Sequence, residues 1–583
     1  MRTFHVVSII FICFFLKSCV KENISSEPKG SLKVVIKTSD NLPEPNAVVT
    51  TEPSTQRLIS DSTGSVVFDN ISAGVYKVII ELSPNSTSFA DFDFILENIK
   101  VEESTTAEVF YTLIDGPSPI TENPLNLDLL LSDSYRKLKD TYFIGNYDYI
   151  YWGDIGTNSV YVNPNESDRD ILELDTYEVS VNNRIIYNVW TENYKGIRNT
   201  NIGLEAIQDS KYESPSNREE VELEAEFKFL RALFYFNMAK LYGNPVLVTS
   251  TDFNQEFLQS KEDLLLLIEE DLVFAEENLP SIQVSDIASK GAAQAMLGKF
   301  YLYLAGFPNN QTDKYTLAIN QFEKVIGAYS LNENYEDTFN PQIKDSNKEI
   351  IFRIPFNSDE NNGGNRGVFW GPKGYALRDF LLLDKSFVLD YFNISEGVGE
   401  IVTFPLDITD KRFFNNIASF TVVDNVANNA ENIDDWRPLK FISDIIVEPQ
   451  LNSSIEDFPL LRYADVLLML AEAENAVNGP TQKAYDAINE VVMRSIGPVG
   501  ILSNNLTQRE LLLEIIKQRK LEFCFEGQYK DDLIRNELLE SVILDFNERN
   551  PSFAKQFDTH EYIWPIPQEE IDLLPNLIQN PGY

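Results

Sequence analysis

Between residues 31 and 113 the chain alternates apolar and polar positions. Ser31-Leu32-Lys33-Val34-Val35-Ile36-Lys37-Thr38 has a period of two, and Val66, Phe68, Tyr76, Val78 and Ile80 continue it. Turn residues such as Asp61-Ser62-Thr63-Gly64 separate these runs at intervals of about ten residues, which predicts a small all-β sandwich over 31–115. Gly116-Pro117-Ser118-Pro119 and Asn123-Pro124 then mark residues 116–124 as a semi-rigid linker.

After the linker the period lengthens to that of helices. Phe227, Leu230, Phe234, Met238 and Leu241 share one face of a helix expected over 218–242, with Gly243 as its stop. Further helices are expected over 185–206, 261–278, 290–304, 314–328, 460–477, 481–494 and 507–526. They fall into antiparallel pairs of about 34–40 residues, the period of tetratricopeptide-like repeats. The fold class is therefore mainly α, a helical domain over 125–583 preceded by the sandwich. Residues 330–455 interrupt the helices with an irregular stretch rich in Asn, Gly, Asp and aromatics. Helix pairs bury their stripes against neighbours and make a scaffold, so long loops outside them are where binding resides.

Several positions read as structural. Trp190 and Tyr194 lie four apart on one helix face. Residues 460–473 are apolar nearly all round and predict a buried helix. Arg462, Glu472 and Arg519 suit ties between helix ends, Arg519 and Glu522 are spaced to pair, and Cys524 between two phenylalanines reads as an inert buried thiol.

The first residues carry a different message. Arg2 precedes the apolar run from Val6 to Leu16, too short to span a bilayer, which needs about twenty apolar residues. This is the pattern of a secretory signal, here 1–18. Leu16-Lys17-Ser18-Cys19 resembles a bacterial lipobox, in which cleavage leaves an acylated cysteine at the new N-terminus. Cys19 is the expected lipidation site, residues 19–30 the lipidated cysteine and a flexible stem, and the lipid anchor the only membrane contact.

Charge and residue counts narrow the chemistry. The 583 residues exceed what one core serves, and 43% hydrophobic content is ample for packed interiors. Net charge is −42, and loss of 1–18 takes Arg2 and Lys17 with it, leaving about −44. Such a surface repels nucleic acid and anionic lipid; a neutral ligand fits it, and an anionic one needs a local basic patch. Beyond the leader and Cys19 remain one thiol, Cys524, and one histidine, His560, so a disulfide within the mature chain, His/Cys zinc sites and Ser-His or Cys-His nucleophiles lose their parts. No cofactor is implied. A structural calcium is compatible with 90 carboxylates, but no Asp-x-Asp-x-Asp-Gly loop marks one.

A set of ordered motifs carries a family resemblance. Trp190-Thr-Glu-Asn-Tyr194, Glu224-Ala-Glu-Phe-Lys-Phe-Leu-Arg-Ala232, Leu241-Tyr-Gly-Asn-Pro245, Asp410-Lys-Arg-Phe413, Leu461-Arg-Tyr-Ala-Asp465, Gln518-Arg-Lys-Leu-Glu522, Phe525-Glu-Gly527, Trp564-Pro-Ile-Pro567 and Gln579-Asn-Pro-Gly-Tyr583 together resemble the SusD/RagB family over about 125–583. The resemblance implies an outer-membrane lipoprotein facing the cell exterior, non-enzymatic, that binds oligo- or polysaccharide and delivers it to a SusC-type TonB-dependent transporter. Gly64 to Tyr76 likewise resembles the carboxypeptidase-regulatory-like module, an immunoglobulin-type spacer; family members commonly lack it, and Gln518 stands where they commonly carry an acid.

Glycan sites need flat rings to stack on and amide, carboxylate or guanidinium groups for hydroxyls. Residues 142–161 hold Tyr147, Tyr149, Tyr151, Trp152, Asp154, Asn158 and Tyr161; residues 361–375 hold Arg366, Trp370 and Tyr375; Asp435-Trp436-Arg437 is a third group. The expected ligand-binding residues are Tyr149, Tyr151, Trp152, Asn158, Arg366, Trp370, Tyr375 and Trp436. Alternatives are a peptide-capturing lipoprotein of the RagB type and a repeat scaffold with no small ligand. A glycosidase would need a carboxylate pair, and nothing in the chain marks one.

Overall fold

The computed structural model describes residues 29–37, 43, 47–52, 55, 58–81, 93–101, 105–112, 125–143, 150–165, 168–214, 216, 218–251, 259–282, 285–356, 370–392, 409–423, 426–430, 432–442, 454–574 and 576–583. Cys19 and the leader lie outside them. Two units are present, the first ending at Asn123 and the second comprising Pro124–Thr251 and Gln255–Tyr583.

Among the described residues seven strands build the first unit: β1 (Lys29–Lys37), β2 (Val48–Glu52), β3 (Leu58–Ile59), β4 (Ser65–Ser72), β5 (Gly74–Glu81), β6 (Asp93–Val101) and β7 (Thr106–Thr112). They form a sheet ordered β4-β1-β7 and another ordered β3-β2-β5-β6, with β1 antiparallel to β4 and parallel to β7. The alternation is literal: Leu32, Val34 and Ile36 point inward to meet Val49, Phe68, Val78 and Ile80 from both sheets. The β3–β4 turn closes through Asp61, whose carboxylate accepts the N–H of Thr63 (2.8 Å) and Ser65 (3.1 Å), with Gly64 at φ +71°. Hydrogen bonding, first from Thr63, holds that carboxyl below its ordinary range.

Helices dominate the second unit. Leu127–Tyr142 packs on Arg184–Gln208, which packs on Glu220–Tyr242; the stack continues through Lys261–Asn278, Lys290–Ala305 and Lys314–Val325. Tyr463–Asn478 rejoins it against Lys314–Val325 across the long irregular segment, followed by Gln482–Ser495 and Gln508–Glu522. Side chains of Asn183, Ser260, Ser289, Thr481 and Thr507 cap the N-termini that follow them. Trp190 is buried against Tyr194 and Tyr242, each ring 5.0 Å away. Cys524 is buried and its thiol pushed up to about 12, so the reactive thiolate is suppressed.

Close helix contact depends on Gly196. A Cβ there would stand 2.2 Å from the Phe234 ring on the facing helix. Gly196→Ala is expected to cost about 1–3 kcal/mol, read from the thermal midpoint, and Phe234→Leu in the same chain to recover part of it. Strictly additive effects would show that the two positions do not compete for this space.

Three helix boundaries differ from the pattern. Phe458–Arg462 is a strand antiparallel to Ile350–Ile354, and the helix starts only at Tyr463. A short run buried on both sides has no periodicity to separate strand from helix. The helix expected to reach 328 stops at Val325, just before Gly327 at φ +83°. The helix expected to reach 526 stops at Glu522, because the chain turns through Phe525 (φ +62°) and Gly527 (φ +69°) to bring Glu526 inward.

Glu526 joins a buried ion cluster. Arg412, Lys440, Arg462 and Arg494 face Glu349, Asp410, Glu522 and Glu526, so four cations meet four carboxylates. Gln518 accepts from Arg412 at 2.8 Å, giving the amide a role in this cluster. Glu522 serves Arg412, Arg462 and Arg494 rather than Arg519, which pairs with Asp465 at 2.8 Å. Glu349, Asp410, Arg412 and Lys440 belong to the irregular segment, so the cluster fastens that segment to the helical stack.

Candidate functional site

The structure brings the described parts of the three aromatic-rich segments together through residues 373–383. The strand Val160–Val162 runs antiparallel to Leu381–Leu383, with Tyr161 opposite Leu382. Asn163 N–H donates to Phe380 O at 2.7 Å, and its side-chain amide to Asp379 O at 3.3 Å. Arg437 grips Asp379 with Nε and Nη2, a bidentate pair across segments. Val422 N–H donates to Lys373 O at 2.8 Å, and a Cβ on Gly374 (φ +84°) would stand 2.1 Å from Val422 O. Glycine is required there. Lys373 Nζ closes the arrangement on Asp435.

The three tryptophans do not present their faces on this surface. Trp152 is 8% exposed, Trp370 2% and Trp436 1%. Trp152 lies 4.6 Å from the Tyr142 ring beside a cavity of about 40 Å³, Trp370 Nε1–H donates to Lys440 O at 3.4 Å, and Trp436 meets Phe413 at 5.4 Å. The expectation that they stack on a sugar is corrected: large rings in glycine- and polar-rich loops supply the apolar contacts those loops need. Asn158 is buried too, its Oδ1 accepting from Tyr529 OH at 3.1 Å. Tyr375 is half-buried in the Lys373 loop. Tyr147, Tyr149 and Arg366 lie outside the described residues, as does the side chain of Tyr151.

Tyr161 is the ring that the site offers. Its neighbours Val160 and Val162 are buried, so strand alternation turns Tyr161 the other way, half-exposed, 4.7 Å from Phe553 and 5.9 Å from Phe546. Burial and then Asp434 and Asp384 push its phenol up, while Arg437 acts the other way. An aromatic platform thus sits beside a carboxylate, a guanidinium and the Asn163 amide. The period-two signal Val-Tyr-Val was present in the sequence, but Phe553 and Arg437 reach this place only through the tertiary fold.

Asp154 couples these loops to the ion cluster. Fully buried, it accepts the N–H groups of Phe525 (3.0 Å) and Gly527 (2.8 Å) on either side of Glu526. Glu526 binds Lys440, whose carbonyl holds Trp370. Burial raises the Asp154 carboxyl to about 7, against the pull of those two N–H groups and Lys440. The folded state therefore holds a proton that the unfolded chain releases near pH 4, and stability falls as pH rises from there through about 7. Asp154→Asn should remove this slope. Across pH 4–8 the thermal midpoint of wild type relative to the variant is expected to fall steadily; a constant difference would refute the titration.

A second concavity, about 720 Å³, is lined by Asp286, Tyr329, Lys344, Asn347, Lys348 and Arg353 among others. Arg353 is bound to Asp286 and Asp457, and Lys344 donates to Phe356 O, so its charged groups largely serve one another. Among the described residues no group of three or more His, Cys, Asp or Glu is placed to hold a metal ion. Nor is any helix there long and apolar enough to cross a membrane.

Comparison with known proteins converges on one family. Residues 424–583 match the SusD family model, and residues 131–302 match a SusD-like model described as starch-binding, associating with the outer membrane. SusD-like protein P25 of Formosa agariphila is 27% identical over 490 residues, covering 74% of this chain and 89% of the relative. A SusD homolog from Bacteroides thetaiotaomicron superposes with a TM-score of 0.68 at 24% identity, covering 80% of this chain and 98% of the other. A laminarin binding SusD-like protein does so with 0.63 at 22% identity, covering 79% and 100%. At these identities the superpositions show a shared fold.

Proposed function

This chain belongs to the SusD family, and on that premise we propose that it binds oligo- or polysaccharide at the outer membrane without cutting it. The observation that carries the reading is the meeting of Tyr161 and Phe553 with Asn163, Asp379, Asp434 and Arg437. A half-exposed ring supplies the flat contact a sugar face needs, and the polar groups beside it address hydroxyls. The laminarin binding relative supports the ligand class. Tyr375 belongs to the proposed site, and Tyr149, Tyr151 and Arg366 are proposed as further ligand-binding residues from their residue types.

Cys19 is the proposed point of acylation, with the β-sheet unit and the linker as spacer to the membrane. Capture near a pore raises local ligand concentration, so a SusC-type TonB-dependent transporter is the proposed recipient. A glycan array probed with the purified full-length protein tests the central reading. Binding of at least one glycan without turnover is expected; absence of all glycan binding would refute it. Co-purification of a large β-barrel receptor tests the delivery step separately.

A further inference from the structure

We propose that this surface accepts uncharged glycans and rejects acidic ones, an inference that rests on the glycan-binding reading above. Among their described residues the three converging segments, 160–168, 370–383 and 417–437, hold three cations (Lys373, Arg378 and Arg437) and four carboxylates (Asp168, Asp379, Asp434 and Asp435). Each of the three cations already has an anionic partner: Lys373 has Asp435, Arg378 has Asp168 at 3.7 Å and Arg437 has Asp379.

A uronate or sulfate would have to take one of these cations from its carboxylate. At Arg437, whose side chain is 5% exposed, that exchange would strand Asp379 without its bidentate partner. The exposed Asp434 acts electrostatically on Tyr161, and among the described residues no cation pairs with its carboxylate. It repels an anion placed over that ring. A neutral sugar meets the opposite situation, because carboxylates are strong acceptors for hydroxyl donors. The net charge of −42 adds a longer-range field of the same sign, screened beyond about 8 Å at physiological salt.

The test is calorimetric titration of the full-length protein with neutral oligosaccharides and size-matched uronate-bearing and sulfated ones. At 0.15 M salt (on the order of physiological ionic strength) the acidic set is expected to bind at least about tenfold more weakly, and the gap to narrow as salt rises. Asp434→Lys, at an exposed position, should bring acidic ligands to within about threefold of neutral ones at that ionic strength, about 8 Å of screening length. Equal or tighter binding of acidic glycans by wild type overturns the selectivity while leaving glycan binding intact. So does a gap that ignores both salt and Asp434→Lys, since a steric cause would then remain. Binding of no glycan at all overturns this inference together with the proposed function.

Discussion

Glu522→Gln is expected to lower the stability of the helical unit by about 3–5 kcal/mol. Glu522 is fully buried and receives Arg462 Nη1 at 2.6 Å, Arg494 Nη2 at 2.5 Å and Arg412 Nη1 at 3.3 Å. Burial alone would raise its carboxyl, but the guanidiniums of Arg494, Arg462 and Arg412 win and hold it well below the ordinary carboxylate range. Glutamine keeps the shape and removes the charge. Arg412, Lys440, Arg462 and Arg494 then share Asp410, Glu349 and Glu526, with one negative charge too few. The penalty comes mainly from guanidiniums left undercompensated, which is why breaking such a cluster costs more than the cluster contributes over an apolar core.

The pH dependence follows the lowered carboxyl. Its stabilisation is complete above the unfolded value near 4.5 and is lost as pH falls through the folded one. Wild type and variant should therefore differ by a constant amount above about pH 5 and converge progressively as pH falls below it. Denaturant or calorimetric midpoints at about pH 2.5 and about pH 7 check both statements. A shift under about 0.5 kcal/mol at neutral pH would mean that water or rearrangement screens the cluster.

The helical scaffold could be read from the sequence because each helix carries its own signal. Phe227, Leu230, Phe234, Met238 and Leu241 mark one helix with Gly243 as its stop, and a 3.6-residue stripe needs no knowledge of the rest of the chain. The long-range consequences of burial could not be read. Phe458–Arg462 looks helical because both faces are apolar, and Gln508–Glu522 ends early because Glu526 is drawn to Arg462 and Lys440, partners 64 and 86 positions away. The same limit governs the site. Residue type marked stretches where rings and amides are concentrated, and the proposed site draws on them. It did not tell outward rings from inward ones: Trp370 and Trp436 face the core, while Tyr161 faces out because the strand alternates.

Tyr161→Ala is expected to weaken glycan binding by about 2 kcal/mol, roughly thirtyfold, with little change in thermal midpoint. The ring is half-exposed and its contacts within the protein are chiefly with Phe553 and Phe546, so truncation removes contact surface without opening the main core. Trp436→Ala makes the contrasting case. That ring is buried against Phe413 under the same loops, and its removal should cost roughly 3–5 kcal/mol of stability through a cavity. Any affinity it loses comes through disordering of the surface above it. Trp436→Phe fills more of the space and is expected to restore both stability and binding, whereas Tyr161→Phe keeps the platform and should bind nearly as well as wild type. If Tyr161→Ala binds normally while the alanine variant at Trp436 loses binding with its fold intact, the ligand lies against the tryptophan instead. The loops would then have to open to admit it.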